Sequence, residues 1–172
     1  MNPPSIQLSH VEIQMAVAVG KMRTKSHENA KSTFTMVKDN DYLGAAGEIA
    51  FADFMDVDWD WRNKKYGDGG IDFTIHGITI DVKCTRGNHQ TRRLMVAQGD
   101  VNVNLYVHTV HHSTTPGLIH LIGWEWGHII RRIQPVKPPG FYKFNHITEP
   151  GDLNSMHYLD VNLEEHEITP PE

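Results

Sequence analysis

Apolar residues recur along this chain in two rhythms, and the change from one to the other divides it into helices and strands. After a proline-bearing lead-in, MNPPSIQL, the residues Ser9-His10-Val11-Glu12 form a capping box, in which a serine and a glutamate three positions on satisfy each other's free backbone N–H groups. This predicts a helix through IQMAVAVGKMRTKSHENA, with Ile13, Ala16, Val17 and Gly20 turned inward. Helical spacing returns in DYLGAAGEIAFADFMDV, from about Asp41. Leu43, Ala46, Ala50 and Phe54 make one apolar stripe there, with Ala45, Glu48, Ala52 and Met55 on a neighbouring face. The small residues Gly44, Ala45, Ala46 and Gly47 let this helix approach a sheet closely, and Glu48 follows them directly.

The rhythm then shortens to a period of two over GDGGIDFTIHGITIDVKC, residues 67–84. Ile71, Phe73 and Ile75 share one face, opposite Asp72, Thr74 and His76. In the second run Ile78, Ile80, Val82 and Cys84 oppose Thr79, Asp81, Lys83 and Thr85. Gly77 sits at the reversal, where a short hairpin turn needs positive φ. Strands pairing about His76-Gly77 bring Asp72 near Asp81 and Lys83. Aspartate is a poor strand former, and two close carboxylates repel unless a cation joins them.

Further on, residues 88–102 read either as a short strand at LMV or as a turn of helix. VNLYVHTV and GLIHLIGW are strands rich in β-branched and aromatic residues, joined by the polar connection HHSTTPG. Pro135, Pro138 and Pro139 exclude regular structure over IQPVKPPG. Two helices followed by several strands indicate a mixed α/β fold. At 172 residues the chain is a single domain, with a core over about 40–130 and an acidic, partly irregular segment over 147–172.

Composition adds the environment. One cysteine, Cys84, excludes an internal disulfide and fits a reducing cytosol. No apolar run approaches membrane-spanning length, so a cytoplasmic protein with no membrane partner is expected. The net charge is −5, unevenly spread. Residues 1–58 carry 5 basic and 8 acidic groups, residues 59–146 carry 11 and 6, and residues 147–172 carry 0 and 7. The segment with the hairpin is therefore the basic one, and Lys64, Lys65, Arg86, Arg92 and Arg93, with Arg131 and Arg132, are candidates to track a phosphate backbone.

Glu48 on a helix, Asp72 on one strand and Asp81-Val82-Lys83 on the next resemble the PD-(D/E)XK nuclease superfamily, and the small phage-encoded members in particular. The likeness lies in the GE of GAAGEIAFADF, in GDGGIDF, in IDVKCT and in a later strand ending at Gly123-Trp124. It covers about 10–130 and departs from the family pattern at Ile71, where proline is usual. It implies a restriction-endonuclease-like αβββαβ core, a mixed central sheet flanked by helices, with an extra N-terminal helix. It also implies a metal-dependent DNA endonuclease leaving 5′-phosphate ends, with DNA as partner and a homodimer left open. A phage-encoded enzyme would act in the host cytoplasm. By the same resemblance Asp72, Asp81, the Val82 carbonyl and Glu48 would hold Mg²⁺ or Mn²⁺, and Lys83 would orient the attacking water. Junction resolution, RNA processing and a catalytically inactive DNA-binding or assembly role fit the same layout.

Other constellations carry less. His108, His111, His112 and His120 gather near two strands, but without cysteine partners or an HExxH spacing they read as polar strand-edge residues. Trp124 and Trp126 read as core or rim packing before base stacking. Cys84, facing away from Lys83, reads as a small hydrophobe. Gly67, Gly69 and Gly70 do not open a helix, so no phosphate-binding loop is indicated.

Overall fold

Both N-terminal helices form where the pattern places them. The computed structural model describes residues 2–29, 39–61 and 70–168. Helix α1 spans His10–Asn29 and α2 spans Asp39–Met55. The capping box closes at the start of α1, where the Ser9 N–H donates to Glu12 Oε2 at 2.6 Å and the Glu12 N–H to Ser9 Oγ at 3.3 Å.

Strands β1 (Ser5–Gln7), β2 (Phe73–Ile75), β3 (Ile78–Gly87), β5 (Leu105–His112) and β6 (Leu118–Trp126) form one mixed sheet in the order β1-β6-β5-β3-β2. Strands β3 and β5 run parallel, and every other pair is antiparallel. A second sheet pairs β4 (Leu94–Ala97) with β7 (Asn145–Thr148). Short helix α3 (Gly127–Ile130) follows β6, and α4 (Leu159–Ile168) ends the described chain. The architecture is mixed α/β, as the order of elements predicts.

Alternation divides the main sheet into two faces. Ile80, Val82, Leu105 and Val107 pack with Phe51 and Ala52 of α2, and with Met156, Leu159 and Leu163 at the other end of the chain. Ala16 and Val19 of α1 join Ala45, Ala46, Ile49 and Ala50 of α2 over Ile119 of β6. On the opposite face Tyr106 meets Leu94, Val96, Val103 and Ile130, so the small sheet covers that side. Gly47 explains how closely α2 settles. A Cβ built on it would lie 2.7 Å from both Cys84 Cβ and Thr109 Oγ1, separations that only glycine avoids.

Three elements differ from the sequence reading, and one open choice is decided. An αβββαβ order would place a helix between the hairpin and the last strand, whereas the chain runs from β3 through β4 directly to β5, with no helix between Gly87 and Leu118. The alternating burial of Leu94-Met95-Val96-Ala97 selects the strand from the two readings of that region. The lead-in supplies β1, paired to β6. The described part of the acidic C-terminal segment, to residue 168, is largely regular: Leu159 and Leu163, one helical turn apart, are fully buried, while Asp160, Glu164 and Glu165 face water. No helix among the described residues is long and apolar enough to cross a membrane.

Candidate active site

The β2–β3 turn sets the geometry. His76 and Gly77 both adopt positive φ, 49° and 77°, as a two-residue type I′ turn requires. The resulting register puts Phe73 opposite Ile80 and Ile75 opposite Ile78, and the Asp72 N–H donates to the Ile80 carbonyl at 2.9 Å. Asp72, just before β2, is thereby brought beside Asp81 and Val82 of β3. Asp72 Oδ2 accepts the Val82 N–H at 2.7 Å, and Asp81 Oδ2 lies 2.6 Å from Lys83 Nζ. Tyr106 of β5 stands beside Asp81 in the parallel register.

The electrostatics follow from this crowding. Burial, then the negative charges of Glu48 and Asp81, hold the Asp72 carboxyl well above the usual carboxylate range, against the opposing pull of the Val82 N–H and Lys83. Burial acts to lower the Lys83 pKa, but Asp81 and Asp72 overcome it and keep the ammonium above its ordinary value. The Tyr106 hydroxyl is raised by burial and by Asp81. Burial comes first in the Asp72 and Tyr106 shifts, and repulsion or attraction by the neighbouring acids adds to it.

Glu48 is also buried, but it is engaged elsewhere. Arg23 of α1 donates from Nη1 to Oε1 at 2.6 Å and from Nη2 to Oε2 at 2.8 Å, and Trp59 Nε1 donates to Oε2 at 3.0 Å. Nothing in the spacing of the sequence points to these partners, which lie 25 and 11 residues away. A cleft of about 590 Å³ opens beside them, lined by Arg23, Glu48, Asp58, Asp60, Asp72 and His76 among others. Asp81 and Lys83 do not line it.

Whether these residues suit a hard divalent cation is a question of donors and placement. The donors suit it: carboxylate oxygens and a peptide carbonyl are what Mg²⁺ and Mn²⁺ select, and Asp72 has Glu48 and Asp81 as anionic neighbours. The placement is incomplete. Asp81 is turned to Lys83 and Glu48 to Arg23, and among the described residues no three His, Cys, Asp or Glu side chains stand close enough to share an ion.

The other candidates fall in varied places. Lys64 and Lys65, with Gly67 and Gly69, lie outside the described residues. Arg86 is exposed near the end of β3. The Arg92 side chain lies over the backbone of Gly87, and Arg93 pairs with Glu149 at 2.8 Å. His108 and His111 are core residues of the central strand β5, not strand-edge ones. Burial depresses His108 to about 4. The His89 and His120 rings stack at 4.4 Å with His112 5.7 Å from His120, but His112 Nδ1 already accepts the Thr115 N–H at 3.2 Å. Cys84 is half-buried against Gly47, and burial pushes its thiol up to about 11. Trp124 is core, with its Nε1 donating to the Ser155 carbonyl at 3.1 Å.

No protein-family model, curated protein or solved structure matches this chain. The chemistry of the site therefore rests on its own residues.

Proposed function

We propose that this protein is a metal-dependent phosphodiesterase acting on DNA, an endonuclease of the PD-(D/E)XK kind. One observation carries the reading: a single hairpin turn brings Asp72 beside Asp81, which is itself in an ion pair with Lys83. Strand propensity alone would fill such positions with threonine or valine. Asp72, Asp81 and the Val82 carbonyl would hold Mg²⁺ or Mn²⁺, with Glu48 joining once it is released from Arg23. When bound, the cation supplies polarisation of the phosphodiester and a lowered pKa for the attacking water.

The chain's own residues do the rest. Lys83, kept cationic by the acids around it, orients a water and offsets negative charge on the phosphoryl oxygens. The Val82 N–H fixes the Asp72 carboxylate against rotation. Tyr106 donates to the Asp100 carbonyl at 2.9 Å, so its ring walls the Asp81 side of the site without delivering a proton there.

A binding-only role is favoured by one feature, the full engagement of Glu48 by Arg23 and Trp59. The test is incubation with supercoiled, linear, single-stranded and branched DNA in Mg²⁺, Mn²⁺ or EDTA, with Asp81→Asn and Lys83→Ala as controls. Cleavage that needs the metal and disappears in both variants, with unchanged far-UV circular dichroism, is expected. Full activity in either variant would sink this site, and DNA binding without cleavage under any condition would leave the binding-only role.

A further inference from the structure

Most exposed apolar side chains of this protein are scattered, but Val136, Phe141, Tyr142 and Phe144 are 47%, 48%, 78% and 50% exposed within nine residues of sequence. Their exposure is built into the fold. The Val136 N–H donates to the Asn145 carbonyl at 2.9 Å and the Asn145 N–H returns to Val136 at 2.7 Å, closing the loop 137–144 at its base. At its tip the Phe141 N–H donates to the Pro138 carbonyl at 3.1 Å. Pro139 and Gly140, with Gly140 at φ 82°, occupy the centre of that turn as a type II geometry prefers. Asn145 Nδ2 holds the Lys143 carbonyl at 2.8 Å, and the Phe144 carbonyl accepts from the Gln98 N–H at 2.8 Å. A loop tied at base, tip and flank presents its rings with little ordering cost left to meet on binding.

The charge around the rings selects the partner. Residues 127–148 contain Arg131, Arg132, Lys137 and Lys143 and no acid. Lys143 pairs with Asp100 at 3.1 Å, but no ion pair among the described residues involves Arg131, Arg132 or Lys137. Arg131 Nη1 donates to the Val101 carbonyl at 3.1 Å, a neutral acceptor, so its charge has no acidic partner among the described residues. Flat apolar rings among uncompensated cations match nucleotides, whose bases stack and whose phosphates are anionic. A duplex hides its base faces, so an unpaired strand is the form that meets both features.

The loop is linked to the candidate active site through Asp100 and Tyr106. Lys143 and Tyr106 both hold Asp100, and Tyr106 stands beside Asp81 in the sheet. We propose that the 137–144 loop is a stacking platform for unpaired nucleotides, and that the substrate presents a single-stranded segment next to the bond that is cut. The cutting rests on the phosphodiesterase reading above; the binding does not.

Fluorescence anisotropy with oligothymidylate and with a duplex of equal length, in Ca²⁺, tests this. The Phe141→Ala/Tyr142→Ala/Phe144→Ala variant is expected to lose about tenfold or more in oligothymidylate affinity for each stacked base, with duplex affinity and salt slope unchanged. Tyr142→Ala alone, at the most exposed ring, is expected to show part of the loss with unchanged far-UV circular dichroism. Arg132→Ala/Lys137→Ala is expected to lower the salt slope by about one for each phosphate no longer neutralised. Unchanged oligothymidylate affinity in the triple variant would overturn the platform, as would equal losses on single strand and duplex. A wild-type dimer that becomes monomeric in the triple variant with DNA affinity intact would also overturn it, giving the face to a second copy. Selective loss of single-strand binding without cleavage by the wild type would sink the phosphodiesterase reading alone. Intact cleavage with unaltered binding would sink the platform alone.

Discussion

Replacing Asp72 with asparagine removes one charge from the candidate site while keeping its shape, because an amide oxygen can still accept the Val82 N–H. In wild type the Asp72 carboxyl is opposed by burial, Glu48 and Asp81 and supported by Val82 and Lys83. Each carboxylate neighbour at about 4 Å costs about 1 kcal/mol at the screening of water, and more where water is excluded. With part returned by Lys83, the variant is expected to gain about 1–2 kcal/mol at pH 8 in EDTA, at about 2–4 °C of melting temperature per kcal/mol for a chain of this size. The sign of the pH dependence is fixed. The folded pKa lies above the reference value of 3.8, so between the two the folded chain keeps a proton that the unfolded chain has released. The stability from that proton is fully present below pH 3.8 and is lost as pH rises through the folded pKa. The advantage of Asp72→Asn over wild type is therefore near zero at pH 3.8 and grows with pH. Metal reverses the order: an ion binding only the folded state adds about 2.7 kcal/mol at a hundredfold excess over its Kd, and the variant, short of one anionic ligand, gains little. Melting of both proteins across pH, in EDTA and in millimolar Mn²⁺ at fixed ionic strength, checks this. A variant less stable than wild type in EDTA at pH 8, or equal Mn²⁺ shifts in both, would refute the reasoning.

Three further expectations concern the frame around the site. Gly47→Ala gains about 1 kcal/mol of helix propensity but drives a methyl into Cys84 Cβ, which cannot swing aside, so urea titration should show a net loss of about 1–3 kcal/mol; an equally stable variant would mean that α2 sits further from the sheet. Arg23→Met leaves Glu48 buried with only the Trp59 N–H, and should destabilise by about 3 kcal/mol. Much of that loss should return in the Arg23→Met/Glu48→Gln double variant, and additive losses in that cycle would argue against the ion pair. DNA affinity should fall steeply with salt, and charge reversal at Arg92 and Arg93 should weaken it, Arg93 less because Glu149 already partners it; a salt-independent Kd would point away from a phosphate-tracking surface.

How much of this could be read from sequence depends on how far each feature is from its cause. The β2–β3 register was legible because a two-residue turn at His76-Gly77 and a period of two put Phe73 opposite Ile80, which brings Asp72 near Asp81. The α1 start was legible for the same reason, since Ser9 and Glu12 satisfy each other within one turn. Strand β1 was not, because three residues carry no period and its pairing partner lies more than a hundred positions away on β6. Helix α4 was hidden by its acids, which mask the turn of two leucines that buries it. The small sheet β4–β7 joins segments about fifty residues apart, across a proline-rich stretch whose composition argues for irregularity.

The same distinction runs through the candidate site itself. Asp72, Asp81 and Lys83 hang on one turn and the two segments it joins, so their mutual placement is specified locally. Glu48 depends on α2 lying close to β3 through Gly47 and on α1 lying close enough for Arg23 to reach it. Its bond to Arg23 joins two helices, and no local pattern specifies it. The third acid is thus the member of the group whose role is set by tertiary packing. A substitution on α1, far from the hairpin in sequence, can change what Glu48 offers to a cation without moving Asp72, Asp81 or Lys83 at all.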